Sequence, residues 1–136
     1  MSHHYLLDTN ILSELIKHPK GLIFYKIQKV GEEKVCTSII VAAELKFGIK
    51  NRNSLRLTKK LNIVLDAIDI LPFAAPADRY YAEIRQSLKI QGMPIGANDL
   101  LIAAHALSLN LTLVTANVRE FERVRNLKVE NWLKQY

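Results

Sequence analysis

The sequence predicts an α/β fold in which helices flank a mainly parallel central sheet. Short apolar runs of strand length alternate along the chain with longer segments whose apolar residues recur at helical spacing. Because helical segments separate the strands along the chain, the strands are expected to run parallel. The 136 residues contain no repeat or Gly/Ser-rich linker and suffice for one domain covering residues 1–136.

The first elements are marked by their start and stop signals. Tyr5–Leu7 is a short strand candidate that runs directly into Asp8-Thr9-Asn10, a helix-capping sequence. The helix that follows is predicted over 11–17 and is ended by Pro19-Lys20-Gly21. The later elements are predicted in this order: a helix over 22–30, a strand over 34–37, helices over 39–49 and 57–68, a strand over 68–71, helices over 77–90 and 98–109, a strand over 111–115, a short helix around 120–124, and a strand or extended tail near Val129.

Composition limits the possible classes of function. The net charge is +6, from 19 Lys and Arg against 13 Asp and Glu, which favours a polyanionic partner such as nucleic acid. The single Cys36 excludes an internal disulfide and a multi-cysteine zinc site, and it is predicted to pack inertly within a strand. No apolar run approaches the roughly 20 residues of a membrane helix, and the N-terminus lacks the features of a signal peptide, so the cytoplasm is the expected location.

Glu44 occupies an unusual place on its predicted helix. At about 100° per residue, the residues within about 60° of it are Ile40, Val41, Phe47 and Gly48. Lys46 and Lys50 fall on the far side of the same helix. Because an unpaired carboxylate on an apolar face is costly, Glu44 is expected to have a cationic or metallic partner.

Asp99 and Asp8 repeat this pattern. The face that Asp99 shares holds Ile102, Ala103 and Ala106, and the side expected to point away holds His105 and Ser108. Asp99 also lies in the first turn of its helix, where the helix dipole favours an anion. Asp8 follows an apolar strand and begins a helix. In parallel sheets, ligands bind beyond the carboxyl ends of the strands, which is where Asp8 is expected.

The three acids together predict a metal site, although each alone has a structural explanation. Asp8 and Asp99 are also typical helix-start residues, and Glu44 is also explained as half of a buried ion pair with an arginine. However, no Lys or Arg shares their faces. Two charges ~5 Å apart repel by about 3 kcal/mol at an effective dielectric constant of about 20, and Mg²⁺, which prefers oxygen ligands, would compensate that repulsion.

The segment after the strand over 111–115 adds further polar candidates. Thr115 and Asn117 are positioned to orient an acid or a water molecule. Glu120 is either a fourth carboxylate of the site or an exposed helix residue. Phe121 is predicted to anchor its short helix in the core.

Taken in order, these motifs resemble the PIN domain, and in particular the VapC toxins of bacterial VapBC toxin–antitoxin modules. The resemblance extends from Tyr5 to about Trp132 and depends on the order of four motifs, since none is specific alone. The motifs are Asp8-Thr9-Asn10 after a strand, Glu44 within a helix, Asn98-Asp99 at the start of an apolar helix, and the segment Thr115–Phe121.

The resemblance implies a Mg²⁺-dependent endoribonuclease in which Mn²⁺ can substitute. By position, Asp8, Glu44 and Asp99 match the three family acids that hold the metal, and Asn117 and Glu120 are alternatives for the fourth. Asn10, like Thr115 and Asn117, would support these acids. The resemblance also implies a homodimer, held inactive by a VapB-type antitoxin whose C-terminal arm covers the site. The segments 92–96 and 119–124 resemble the VapC subgroup that cuts initiator tRNA in its anticodon loop.

The predicted reaction is hydrolysis of an RNA phosphodiester by metal-activated water, which leaves a 5′-phosphate. Basic residues that contact the RNA backbone, or simply form solvated faces, are Lys46, Lys50, Arg52, Arg85 and Arg119. Two alternatives are a catalytically idle PIN-like module that binds RNA or protein, and a structure-specific DNA nuclease. Metal-free histidine catalysis fits poorly, because the four His residues are expected at a terminus, at a helix end and on an outward face.

Overall fold

The central sheet has five strands, all parallel, in the computed structural model, which describes residues 2–134. The strands are β1 (Tyr5–Leu7), β2 (Val35–Ser38), β3 (Asp69–Leu71), β4 (Thr112–Val114) and β5 (Val129–Glu130). Their order across the sheet is β3-β2-β1-β4-β5. The α/β fold with a mainly parallel sheet is therefore confirmed. Residues 1 and 135–136 of the expected domain lie outside the described residues.

Residues 2–134 contain seven α-helices and a short 3₁₀ turn, Glu32–Lys34. The helices are α1 (Thr9–Lys17), α2 (Leu22–Val30), α3 (Ile39–Arg52), α4 (Leu55–Ala67), α5 (Ala77–Ile90), α6 (Ala97–Ser108) and α7 (Val118–Phe121). Each corresponds to a predicted helix. However, α3 extends three residues beyond the end predicted at residue 49, and it is capped by Asn53, which adopts a left-handed conformation with φ 49°. That conformation lets the N–H of Asn53 bond to the last carbonyls of the helix, so the turn begins there.

The strand order creates a topological switch point beside β1. From β1 the chain adds β2 and then β3 on one side, and it later adds β4 and then β5 on the other. The segments that leave the carboxyl ends of β1 and β4 therefore diverge at a crevice, which is where open α/β sheets bind ligands. Asp8 follows β1 and Thr115 follows β4 at this edge.

The core lies on both faces of the sheet. Leu6, Leu7, Leu113 and Val114 on the two central strands are fully buried, as expected for a parallel sheet covered by helices. Phe121 is also fully buried, so the prediction that it anchors the short helix α7 is confirmed.

The expected outward position of His105 is wrong. Its side chain is 1% exposed, and its Nδ1 lies 2.8 Å from Oγ of Ser38, the residue that caps α3. The ring also packs edge-on against Phe73. The prediction assumed that only one face of this helix is buried. However, α6 packs against α3, α5 and β4, so residues on nearly all of its faces are buried. His105 therefore links α6 to α3 inside the core, and burial lowers its pKa.

Cys36 is buried in β2, and burial with the nearby charge of Asp69 raises its pKa to about 12. A thiol in that state is unreactive, in line with the packing role predicted for it. Between residues 2 and 134, none of the helices has the length and apolar character needed to cross a bilayer.

Candidate active site

Asp8 stands where β1 ends and α1 begins. Its backbone N–H still bonds to the Val114 carbonyl of β4, at 2.9 Å. Its side chain caps α1, with Oδ1 accepting the N–H of Thr9 at 2.8 Å, while Oδ2 accepts the hydroxyl of Thr115 at 2.7 Å. The residue is only 3% exposed. Burial raises the pKa of Asp8, and the two hydrogen bonds oppose that shift by stabilising the carboxylate.

Thr115 connects β4 to the site and is fully buried. Besides donating to Asp8, its hydroxyl oxygen lies 3.4 Å from the Asn10 amide nitrogen and accepts the N–H of Asn117 at 3.0 Å. The side-chain oxygen of Asn10, Oδ1, accepts the N–H of Ala116 at 2.9 Å. Asn10 and Thr115 therefore hold the chain after β4 against the start of α1, while the side chain of Asn117 is exposed.

Glu44 reaches the same place from α3. Its Oε1 accepts the hydroxyl of Thr9 at 2.5 Å, and its Oε2 accepts the amide of Asn98 at 3.1 Å. The expected position of Glu44 at the centre of an apolar face needs correction, because Phe47, one turn away, is 72% exposed. The buried face of α3 is formed by Val41, Ala42 and Leu45, so Glu44 sits half-buried at its edge, where it can face both α1 and α6.

Asp99 completes the group from the first turn of α6. Burial, a hydrogen bond shared with Glu120, and the charges of Glu120, Asp8 and Glu44 raise the pKa of Asp99 to about 7. Glu120 also accepts the N–H of Gly96, the residue before α6, at 3.2 Å. Glu120 therefore contacts Asp99 and also holds the start of the helix that carries it.

The site is an open pocket of about 440 Å³. Its lining is formed by Asp8, Thr9, Asn10, Ser13, Glu14, Lys17, Glu44, Asp99 and Asn117. Within residues 2–134, none of the carboxylates of Asp8, Glu44 and Asp99 forms an ion pair. Three of the four candidate acids, Asp8, Glu44 and Asp99, thus line the same pocket. Glu120 contacts Asp99 but is not part of the pocket lining.

Residues 5–127 match the model of the PIN domain family. The chain is also 42% identical to Ribonuclease VapC2 of Rickettsia felis over 132 residues, which cover 96% of this chain and 98% of that protein. It belongs to the PIN-domain family, among the VapC ribonucleases. The recognition of this family from the four sequence motifs is confirmed.

Solved structures of VapC proteins share the fold. The chain superposes with a TM-score of 0.86 and 38% identity on a chain of the crystal structure of VapBC2 from Rickettsia felis bound to a DNA fragment from their promoter, covering 97% of this chain and 99% of that one. The structure of VapBC-1 from nontypeable Haemophilus influenzae gives a TM-score of 0.82 at 34% identity, covering 98% and 100%. A further relative is a tRNA(fMet)-specific endonuclease VapC of Shigella flexneri, 36% identical over 94% of this chain and 97% of that protein.

The chemistry of this VapC site fits a hard divalent cation. Its donors are carboxylate oxygens without a cationic side chain bound to them, and their mutual repulsion contributes to the raised pKa of Asp99. Within residues 2–134, no three His, Cys, Asp or Glu side chains stand close enough to enclose an ion by themselves. A divalent cation at this site would therefore need oxygen donors besides the carboxylates, and Mg²⁺ commonly takes such donors from waters and substrate phosphate.

Five polar residues of this site were not predicted from the sequence. Thr9 and Asn98 donate to the two oxygens of Glu44, and Ser13, Glu14 and Lys17 line the pocket. Thr9 and Asn98 are each adjacent in sequence to a predicted acid, and that position is the sequence feature that points to them. Lys17 lies in the last turn of α1, and only the helical spacing from Asn10 relates it to the site.

Proposed function

We propose that this VapC-family chain is a Mg²⁺-dependent endoribonuclease, with Mn²⁺ able to substitute, that acts as the toxin of a toxin–antitoxin pair. The proposal depends on one observation above all. Asp8, Glu44 and Asp99 arrive from three separate elements at one pocket, at the switch point of the sheet, with no bound cationic side chain among the described residues. The VapC ribonucleases to which the chain is similar support RNA as the substrate.

Asp8 and Asp99 would hold the cation, and Glu44 would ligate it directly or orient the attacking water. A divalent cation supplies charge compensation for the phosphate and makes water more acidic. Thr115 and the backbone of Thr9 fix Asp8, and Thr9 and Asn98 fix Glu44, so both carboxylates are oriented before substrate arrives. Attack of water on phosphorus breaks the bond to the 3′-oxygen and leaves a 5′-phosphate.

In this scheme Glu120 would be the fourth acid of the site, and it would act by supporting Asp99. Its contacts with Gly96 and Asp99 favour that assignment, whereas the exposed amide of Asn117 reaches the pocket as a neutral group. Arg123 reinforces the arrangement, because it donates to the Pro94 carbonyl at 3.0 Å and so ties the loop before α6 to the region of α7.

The partners are inferred from the relatives. The VapBC complexes of Rickettsia felis and Haemophilus influenzae support a VapB-type antitoxin as the partner of this chain. The tRNA(fMet)-specific relatives, at 36% and 32% identity, support tRNA as the RNA that is cut. A homodimer is proposed on the resemblance to VapC toxins.

A cleavage assay tests the proposal. Purified protein is incubated with total RNA and with single-stranded DNA, in Mg²⁺ or in EDTA. RNA cleavage is expected only with the metal, and Asp8→Asn and Asp99→Asn are expected to lower it by roughly a hundredfold or more. Asp66→Asn, at an exposed position on α4, is the matched control and should cleave normally.

The other outcomes identify the alternatives. RNA cleavage that EDTA or the two Asp substitutions leave unchanged would contradict the mechanism. Cleavage of DNA without RNA would indicate a DNA nuclease, and binding of RNA without cleavage of either polymer would indicate an idle PIN-like module.

A further inference from the structure

One face of α1 continues from the acidic site along the pocket. Asn10, Ser13, Glu14 and Lys17 all line the pocket, at the spacing that places residues on a single helix face. The opposite face, formed by Ile11, Leu12 and Ile16, is buried in the core. Because that face fixes the rotation of the helix, the polar face is held towards the site and ends at Lys17.

Lys17 is distinct among the pocket residues. It is exposed and, within the chain that the structure describes, it is the one Lys or Arg side chain in the lining. Neither a hydrogen bond nor an ion pair holds its ammonium group among residues 2–134, although Glu14 stands one turn before it. Glu14 instead faces His18, with 3.7 Å between Oε2 of Glu14 and Nε2 of His18. The ammonium group of Lys17 is therefore available to a ligand.

The position of Lys17 suits an anion that extends beyond the acids. Lys17 lies seven positions after Asn10 along the helix, which at about 1.5 Å per residue is roughly 10 Å. An RNA strand whose scissile phosphate lies at the carboxylates carries its next phosphates over a comparable distance. The strand is also repelled by Asp8, Glu44 and Asp99, so a cation at the far end of the pocket favours one placement of the strand.

We propose that Lys17 binds a backbone phosphate of the RNA, one or two nucleotides from the bond that is cut, and thereby sets the register of the strand across the carboxylates. This inference rests on the proposed ribonuclease function. It makes Lys17 a substrate-binding residue that recognises the backbone of any sequence. Its contribution should appear in the affinity and its salt dependence more than in the chemical step.

The proposed role of Lys17 is tested by measuring the affinity of the protein for a fluorescent oligouridylate. Binding is followed by fluorescence anisotropy in Ca²⁺ over a series of salt concentrations. Lys17→Ala is expected to weaken binding by roughly three- to tenfold at low salt, the scale of one charge-assisted contact. The plot of log affinity against log salt concentration has a negative slope, and its magnitude should decrease by about 0.7, the value for one phosphate contact to a single strand. Lys17→Arg should restore most of both. In Mg²⁺, the KM for RNA cleavage should rise more than kcat falls.

Lys29→Ala is the matched control. Lys29 also lies in the last turn of a nine-residue helix and is exposed, but it is absent from the lining of the pocket. It should leave affinity, slope and KM unchanged.

The failure of this inference is distinct from that of the ribonuclease proposal. If the wild-type protein cleaves RNA and Lys17→Ala binds with unchanged affinity and slope, the role of Lys17 is wrong and the ribonuclease stands. An equal effect of Lys29→Ala would also overturn it, because the loss would then reflect net charge alone. If the wild-type protein neither binds nor cleaves RNA, both proposals fail together.

Discussion

At the scale of single residues, the site concentrates negative charge that the protein alone does not neutralise. The raised pKa of Asp99, about 7, has burial as its first cause and neighbouring carboxyl groups as the others. A carboxyl group with a raised pKa opposes folding once it is ionised. The arrangement therefore destabilises the metal-free protein at pH values where Asp99 is ionised, and the proposed divalent cation would offset that cost.

Asp99→Asn should stabilise the metal-free protein at high pH while abolishing cleavage. Folding raises the pKa of the Asp99 carboxyl group from its ordinary value of 3.8 to about 7. The contribution of this group to the free energy of unfolding is therefore fully present below pH 3.8 and is lost as pH rises through about 7. Thermal unfolding in EDTA should thus show the variant gaining on the wild type between about pH 4 and about pH 7 and no further above that. A difference in Tm that stays constant over this range would contradict the assignment, and Asp66→Asn is the control for surface charge.

At the scale of elements, the carboxylate of Asp8 is oriented by contacts between the residues that follow two neighbouring parallel strands. Asp8 follows β1 and Thr115 follows β4, and their 2.7 Å hydrogen bond joins the two segments that diverge at the switch point. The N–H of Thr115 is bonded separately to the Glu130 carbonyl of β5, so the backbone there does not depend on the hydroxyl. The hydroxyl can therefore be removed without breaking the sheet.

Thr115→Val should impair the site more than the fold. The substitution keeps the shape of the side chain but leaves Asp8 without one of its two close donors, at a cost of about 1–3 kcal/mol in unfolding free energy. Cleavage is expected to fall by roughly ten- to a hundredfold, the range for partners that orient a metal ligand, and Mn²⁺ affinity should fall with it. Thr115→Ser, which retains the hydroxyl, should recover most of both. Equal activity of the Val and Ser variants would show that the hydroxyl does not orient Asp8.

At the scale of the whole molecule, local patterns in the sequence predict the elements but not every contact between them. The parallel sheet and all the helices follow from periodicity and capping signals. The contact of Glu44 with Asn98 joins residues 54 positions apart, and that of Asp8 with Thr115 joins residues 107 apart. Such contacts depend on the strand order, which local periodicity does not encode.

His105 and Phe47 illustrate the same limit from opposite directions. His105 was expected to face solvent but is buried, because a second and a third element pack on the far side of its helix. Phe47 was expected on a buried face but is 72% exposed, because no element covers that part of α3 among the described residues. A helical pattern shows which residues share a face, whereas the tertiary packing decides which faces are covered.

The charge of the molecule and the charge of its site are opposite in sign. The chain carries a net charge of +6, which would attract the proposed RNA substrate over distance, while the carboxylates of the pocket would repel its scissile phosphate. The proposed divalent cation, held by those carboxylates, would remove this conflict at the point of reaction. This makes metal binding by the acidic cluster the central claim of the account.

Binding of Mn²⁺ to the purified protein, measured by the electron paramagnetic resonance signal of the free ion, tests that claim most directly. The wild type and Asp66→Asn should bind Mn²⁺ saturably, and Mg²⁺ should displace it. Asp8→Asn and Asp99→Asn should each weaken Mn²⁺ binding by roughly tenfold or more while remaining folded. Saturable binding that both substitutions leave unchanged, or no saturable binding by the wild type, would contradict the account.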